Sequence, residues 1–328
     1  MSHRLETSIT GLAVLVIALL WLAPVAVAAQ AAKPDSKSWT VRHTPWGDPD
    51  LQGTWTNTTT TPFERPDDLA GKKALTGQEL ETRDREVAAR VSFDNRPRPG
   101  SPGGYNEFWV ERGRLFSQTS LIVDPPSGKI PALTPEAQKR SQDRDAYRKA
   151  HSADSWEDVG LFTRCLTRGL PSAMMPGFYN HNYQIVQAPG WVAINIEMIH
   201  ETRLIPLDGR PHIGRNIRQW LGDSRGRWEG TTLVVETTNF TPKAEFRGAG
   251  ENMRLVERFT RTGPDTVDYR FTVEDPTTFT QAWTASIPMT TLSERIYEYA
   301  CHEGNYGIYN ILAGHRAEEK ASQEATRK

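Results

Sequence analysis

The chain has 328 residues and carries 39 Lys and Arg against 40 Asp and Glu, for a net charge of −1. The basic residues are spread without a patch, which excludes the electrostatic footprint of a nucleic-acid binder. Hydrophobic residues make up 37%, and no apolar run beyond the first thirty residues is long enough to span a bilayer.

In chain order, His3 and Arg4 form a short basic stretch and Gly11 to Ala23 an unbroken apolar run. A run of about 13 residues suits a signal peptide and falls short of the roughly 20 that a membrane helix needs. Pro24 and then Ala26-Val27-Ala28 follow, in the small-residue pattern of a cleavage site. Residues 1–28 are therefore expected to be removed on export to the periplasm or beyond, the alternative being an uncleaved anchor. No Cys lies near the cut, which argues against a lipid anchor.

Residues 29–160 read as a leader, a first strand and a helical arm. Gly47 to Thr61 runs from turn residues into a strand-like stretch. Thr76-Gly77-Gln78-Glu79 is a capping box, predicting a helix to about Phe93. Residues 94–106 are a Pro- and Gly-rich loop, and Ser120 to Val123 is a short strand. Thr134-Pro135-Glu136 opens a second helix to about Lys149.

From about residue 161 to 318 the pattern is that of an antiparallel β barrel. Period-two runs broken by turn residues predict strands at Tyr183–Gln187 and Trp191–Met198, then Thr202–Leu207 and Thr231–Thr238. Asp223 to Gly226 reads as a turn. Further strands are expected at Arg254–Thr262, Thr266–Glu274, Ala282–Met289 and Arg295–His302, with residues 319–328 as a polar tail. Helical crossovers are missing from this pattern, so the fold class is mainly β, an antiparallel barrel or sandwich. On Thr266–Glu274, Asp268, Arg270, Thr272 and Glu274 alternate with apolar residues, as on a strand with one wet face.

Two cysteines, Cys165 and Cys301, are expected to form one disulfide in an oxidising compartment. Two buried free thiols are the alternative.

Leu51-Gln52-Gly53-Thr54-Trp55 resembles the Gly-x-Trp opening of lipocalin-like (calycin) barrels, and Arg227-Trp228-Glu229-Gly230 with Leu233 to Phe240 resembles strand pairs of their secreted bacterial relatives. The phrases PWGDPDLQGTW, WLGDSRGRWEG and YEYACHEGNYG, within residues 45–318, resemble a family of uncharacterised secreted bacterial proteins. The first resemblance implies a lipocalin-like barrel. The second implies export and brings no activity with it.

The sequence carries no G-x-G-x-x-G, P-loop or H-E-x-x-H signature, and no cofactor is predicted. His302 and Glu303, on the expected last strand, are candidate acid and base, because an imidazole titrates near neutrality. His200 and Glu201 are a second candidate pair, with Arg203 or Arg258 to stabilise an anion; a solvated Glu201–Arg203 pair is the alternative for that segment. Glu197, or His212 with His200 and Glu201, would suit a divalent metal if they converged. Asn182, Tyr183, Asn305, Tyr306 and Trp228 are candidate substrate contacts. The expectation is an acid/base enzyme of lyase, isomerase or hydratase type acting on a small organic molecule. The alternative is a non-catalytic lipocalin-like carrier. The sequence leaves the oligomeric state open.

Overall fold

Alternation along a strand decides which side chains face inward, and these strands use it to fill a barrel. The computed structural model describes residues 39–90, 108 and 110–327. The expected signal peptide at 1–28 and the loop expected at 94–106 lie outside them.

The strands are β1 (Gly53–Thr56), β2 (Ile122–Asp124), β3 (Asn182–Ala188), β4 (Trp191–Ile196), β5 (Thr202–Pro206), β6 (Asp223–Glu229), β7 (Thr232–Thr238), β8 (Arg254–Gly263), β9 (Thr266–Glu274) and β10 (Trp283–Thr291). Nine of them follow the order β5-β4-β3-β1-β10-β9-β8-β7-β6, and β2 pairs with β10 off this path. All ladders are antiparallel. The end strands β5 and β6 lie side by side without a ladder, so the barrel is nearly closed.

Among the described residues three α-helices accompany the sheet: α1 (Gly77–Arg90), α2 (Pro135–Ala150) and α3 (Gly307–Thr326). Thr76 and Glu79 exchange the hydrogen bonds of the expected capping box. The Thr134 hydroxyl caps α2 by accepting from the Ala137 N–H. The arm is built into the barrel wall. β1 is hydrogen-bonded between β3 and β10, and the Thr134 N–H donates to Thr278 O.

Three expectations are corrected. Asp223 to Gly226 is the start of β6, where it pairs with β7, and not a turn. Arg295–His302 has no strand partner and forms no ladder. The stretch taken as the end of the barrel and a polar tail is largely helix α3, which carries no buried residue.

The core is aromatic. Trp55, Tyr183, Phe259, Tyr269, Phe271 and Trp283 are all buried, with Phe259 stacked on Tyr269 at 4.7 Å between centroids. Burying each such side chain contributes roughly 1.5–3 kcal/mol. On β9 the polar set faces outward and Val267, Tyr269, Phe271 and Val273 face the core, as the alternation predicts.

Within this core lies one ion pair. Arg203 of β5, 3% exposed, meets Glu257 of β8, 0% exposed. Its Nη1 and Nη2 donate to the two Glu257 oxygens at 2.9 and 2.5 Å. Tyr269 OH donates to Glu257 Oε1 at 2.9 Å, and Ser224 of β6 accepts from Arg203 Nη2 at 3.4 Å. Burial pulls against the Arg203 charge, but the Glu257 carboxylate outweighs it and holds the guanidinium pKa above its ordinary value. Side chains thus close the seam that the backbone leaves unpaired.

Removing one partner strands a buried charge, at a cost of about 3–5 kcal/mol. Glu257→Leu should therefore lower the denaturant midpoint strongly, and Arg203→Met added to it should recover much of the loss. Equal stability of the single and double variants would contradict this.

Candidate functional site

Buried aromatic side chains fill the barrel core, and several clefts open at the surface. One cleft of about 710 Å³ lies where β3 begins and is lined by Glu111, Phe162, Cys165, Asn180, Glu303 and Asn305, among others. Two of the chain segments that line it, 162–165 and 299–305, are joined by the Cys165–Cys301 disulfide across 136 residues. Closing a loop of that length stabilises by roughly 4–5 kcal/mol in the chain-entropy model. Asn305 Nδ2 donates to Thr163 O at 3.0 Å and adds a second tie.

Glu111 is the best-positioned carboxylate of this cleft. The Asn180 N–H donates to its Oε1 at 3.0 Å. Asn182 Nδ2 reaches its Oε2 at 3.5 Å and donates to the buried Glu197 Oε2 at 2.6 Å. Glu197 Oε1 in turn accepts from the Tyr297 N–H at 3.3 Å. Asn180 has a left-handed backbone, φ 52°, a conformation that Asn tolerates better than most residues. It turns the chain so that its N–H meets Glu111 while the next residues enter β3.

Between Asn180 and Asn182, His181 points inward and is 3% exposed. Its Nε2 lies 3.2 Å from Arg168 Nη1, so it acts as the acceptor and the ring proton sits on Nδ1. Nδ1 lies beside the Met175 backbone without a well-formed hydrogen bond. Burial, with the Arg168 charge adding to it, pushes the His181 pKa down to about 4. Gly177 allows the close approach, since a Cβ there would fall 1.9 Å from His181 Nε2. On the far side of Arg168, Glu201 accepts from the Arg168 backbone N–H at 3.3 Å. Burial raises the Glu201 pKa, opposed by the Thr167 hydroxyl and that N–H.

The expected site residues are divided among several places. Glu303 and Asn305 line the cleft with the disulfide, and Asn182 lies behind it. His302 is exposed in the turn before Gly304 and does not lie on a strand. His200 is exposed, its Nδ1 2.9 Å from Tyr299 O, whereas His212 sits between Asp223 and Glu236. Among the described residues the three-ligand group is Asp154, His315 and Glu319, and the expected trio of His200, His212 and Glu201 does not form one. Arg203 is buried on Glu257, not a solvated partner of Glu201. Arg258 pairs with Glu229 at 2.9 Å on the outer surface. Tyr183 is buried in the core, Trp228 packs against it, and Tyr306 is 72% exposed.

No protein-family model, curated protein or solved structure matches the chain.

Sequence reading missed Glu111 and Arg168. Glu111 stands 69 residues from the Asn180 that holds it. The one available signal for Arg168 was its place three residues after Cys165.

The depressed His181 pKa carries a pH signature. Between about pH 6.5 and 4 the unfolded chain takes up a proton that the folded chain refuses, so stability falls as pH drops through that window. The loss reaches about 3 kcal/mol below pH 4. Denaturation midpoints should show this drop in the wild type and a shallower one in His181→Gln, which keeps an acceptor for Arg168. Identical drops would assign the effect to other groups.

Proposed function

We propose that the protein is an exported, β-barrel-based enzyme that binds a small polar organic molecule in the disulfide-bordered cleft and acts on it by acid/base chemistry. The observation that carries this reading is the Glu111 carboxylate, fixed by the Asn180 N–H and Asn182 at the wall of a 710 Å³ cleft that Glu303 also lines. A carboxylate held by hydrogen bonds, with lone pairs left for a ligand, suits a general base. Glu303, on an exposed turn, supplies a second proton-transfer group. The Asn305 carboxamide, with the Phe162 and Tyr179 rings, suits orientation of a compact, partly apolar substrate. Such a site fits lyase, isomerase or hydratase chemistry, in which a proton leaves one atom of the substrate and another is delivered elsewhere.

Export is supported by the apolar run at residues 11–23, by the resemblance to secreted bacterial proteins and by the disulfide, which suits an oxidising compartment. No helix among the described residues is long and apolar enough to cross a membrane. A carrier holding its ligand inside the barrel is less well supported, because buried aromatic side chains occupy that space.

The test is a panel of small hydroxy, keto and unsaturated acids, followed for binding by calorimetry and for turnover by NMR. Glu111→Gln is expected to retain binding within a few-fold and to lose about 10²-fold or more of turnover, the usual contribution of a positioned base. Unchanged turnover in Glu111→Gln would remove it as the base. Ligand binding with no turnover of any bound compound by the wild type would leave a binding protein and not an enzyme.

A further inference from the structure

Phe162 also lines a second and larger cleft, of about 830 Å³, between α2, residues 161–172 and the loop 242–248. Its charge is one-sided. Arg144, Arg148, Arg168, Lys243 and Arg247 line it against two carboxylates, Asp145 and Glu245. Arg144 is neutralised by Glu245. Among the described residues the other four cations form no ion pair, although the chain as a whole has a net charge of −1. Like charges brought together repel, and an arrangement of this kind is relieved by a counter-anion.

Two of these guanidinium groups are held by rings instead of carboxylates. Arg168 lies over Phe162 at 5.3 Å and donates to the neutral His181. Arg247 lies over Phe63 at 4.7 Å and Phe246 at 5.8 Å. A guanidinium stacked on a ring is positioned through its face, which leaves its in-plane N–H donors for an oxyanion. Arg247 also has a left-handed backbone, φ 52°, a conformation that costs free energy in a non-glycine residue and concentrates at ligand sites. The cleft volume lies in the range of small-molecule sites.

We infer that this cleft is a second binding site, separate from the acid/base cleft, for a small organic polyanion bearing phosphate or several carboxylates. Arg168 and Arg247 supply directed donors, and Arg148 and Lys243 supply mobile positive charge at the rim. The ion pair of Arg144 with Glu245 links α2 to the loop that carries Lys243 and Arg247, so the two sides of the cleft are held together before a ligand arrives.

Calorimetric titration of the full chain with inorganic pyrophosphate and, separately, with citrate tests this. Saturable binding of either is expected, weakening as salt is raised. Tighter pyrophosphate binding would identify a phosphate ligand, and tighter citrate binding a polycarboxylate. Arg247→Ala should weaken the preferred anion by about tenfold to a hundredfold. Lys243→Glu, at an exposed side chain, should weaken it as well. Absence of saturable binding by both anions, or affinities unchanged in both variants, would overturn the assignment. Neither variant touches Glu111 or Glu303, so failure here leaves the acid/base reading standing, and the converse also holds.

Discussion

The last junction of this barrel, between β5 and β6, has no backbone ladder and is crossed by the side chains of one buried network. β5 and β6 run side by side without pairing, and Arg203 crosses from β5 to Glu257 on β8, with Ser224 of β6 and Tyr269 of β9 on the same network. Ser224 passes it on to Thr237 of β7 at 2.9 Å. Two charges taken out of water are tolerable only when their hydrogen bonds are satisfied by each other. The bidentate geometry provides this for both Glu257 oxygens, while Arg203 Nε keeps no partner. A fixed charge pair inside an aromatic core also sets register, since a one-residue slip of β5 would carry Arg203 to the outside and Leu204 to the inside.

With the interior filled in this way, the disulfide-bordered cleft lies at the end of the barrel. There the strands stop, and residues 110–111 and the segments 162–182 and 297–305 gather over them. Their backbone groups are not consumed by ladders, so the Glu111 and Glu197 carboxylates accept from the Asn180 and Tyr297 N–H groups instead, with the Asn182 side chain reaching both carboxylates. The disulfide and the Asn305 tie supply the rigidity that a sheet would otherwise give. His181 and Arg168 join this layer to the basic cleft beyond Phe162, so a proton or an anion added on one side alters the field on the other.

Much of the barrel was legible because inward and outward residues alternate cleanly, most clearly along Thr266–Glu274. The buried pair was legible by the same rule. With Ile205 facing in, Arg203 faces in and Leu204 out, and Glu257 lies between the inward Leu255 and Phe259. Polarity misled the reading there, because an Arg beside a Glu looks like a surface pair. Residues 295–302 alternate as a strand would, but they enter no ladder and are held by the disulfide, by Glu197 and by His200. Helix α3 was missed because its cap residue, Tyr306, makes no side-chain cap bond and no buried stripe marks its face. Glu111 was not legible at all, since only the folded chain brings it to Asn180 and Asn182.

The central claim is that ligand is recognised in the cleft at the barrel end and not within the barrel. NMR shift mapping of the full chain, with a bound acid from the panel, tests it most directly. The account predicts shifts at Glu111, Phe162, Asn180, Glu303 and Asn305, with the indole of Trp283 and the ring of Tyr269 unmoved. Shifts concentrated on Trp283, Tyr269 and Phe259, with the cleft residues silent, would contradict it.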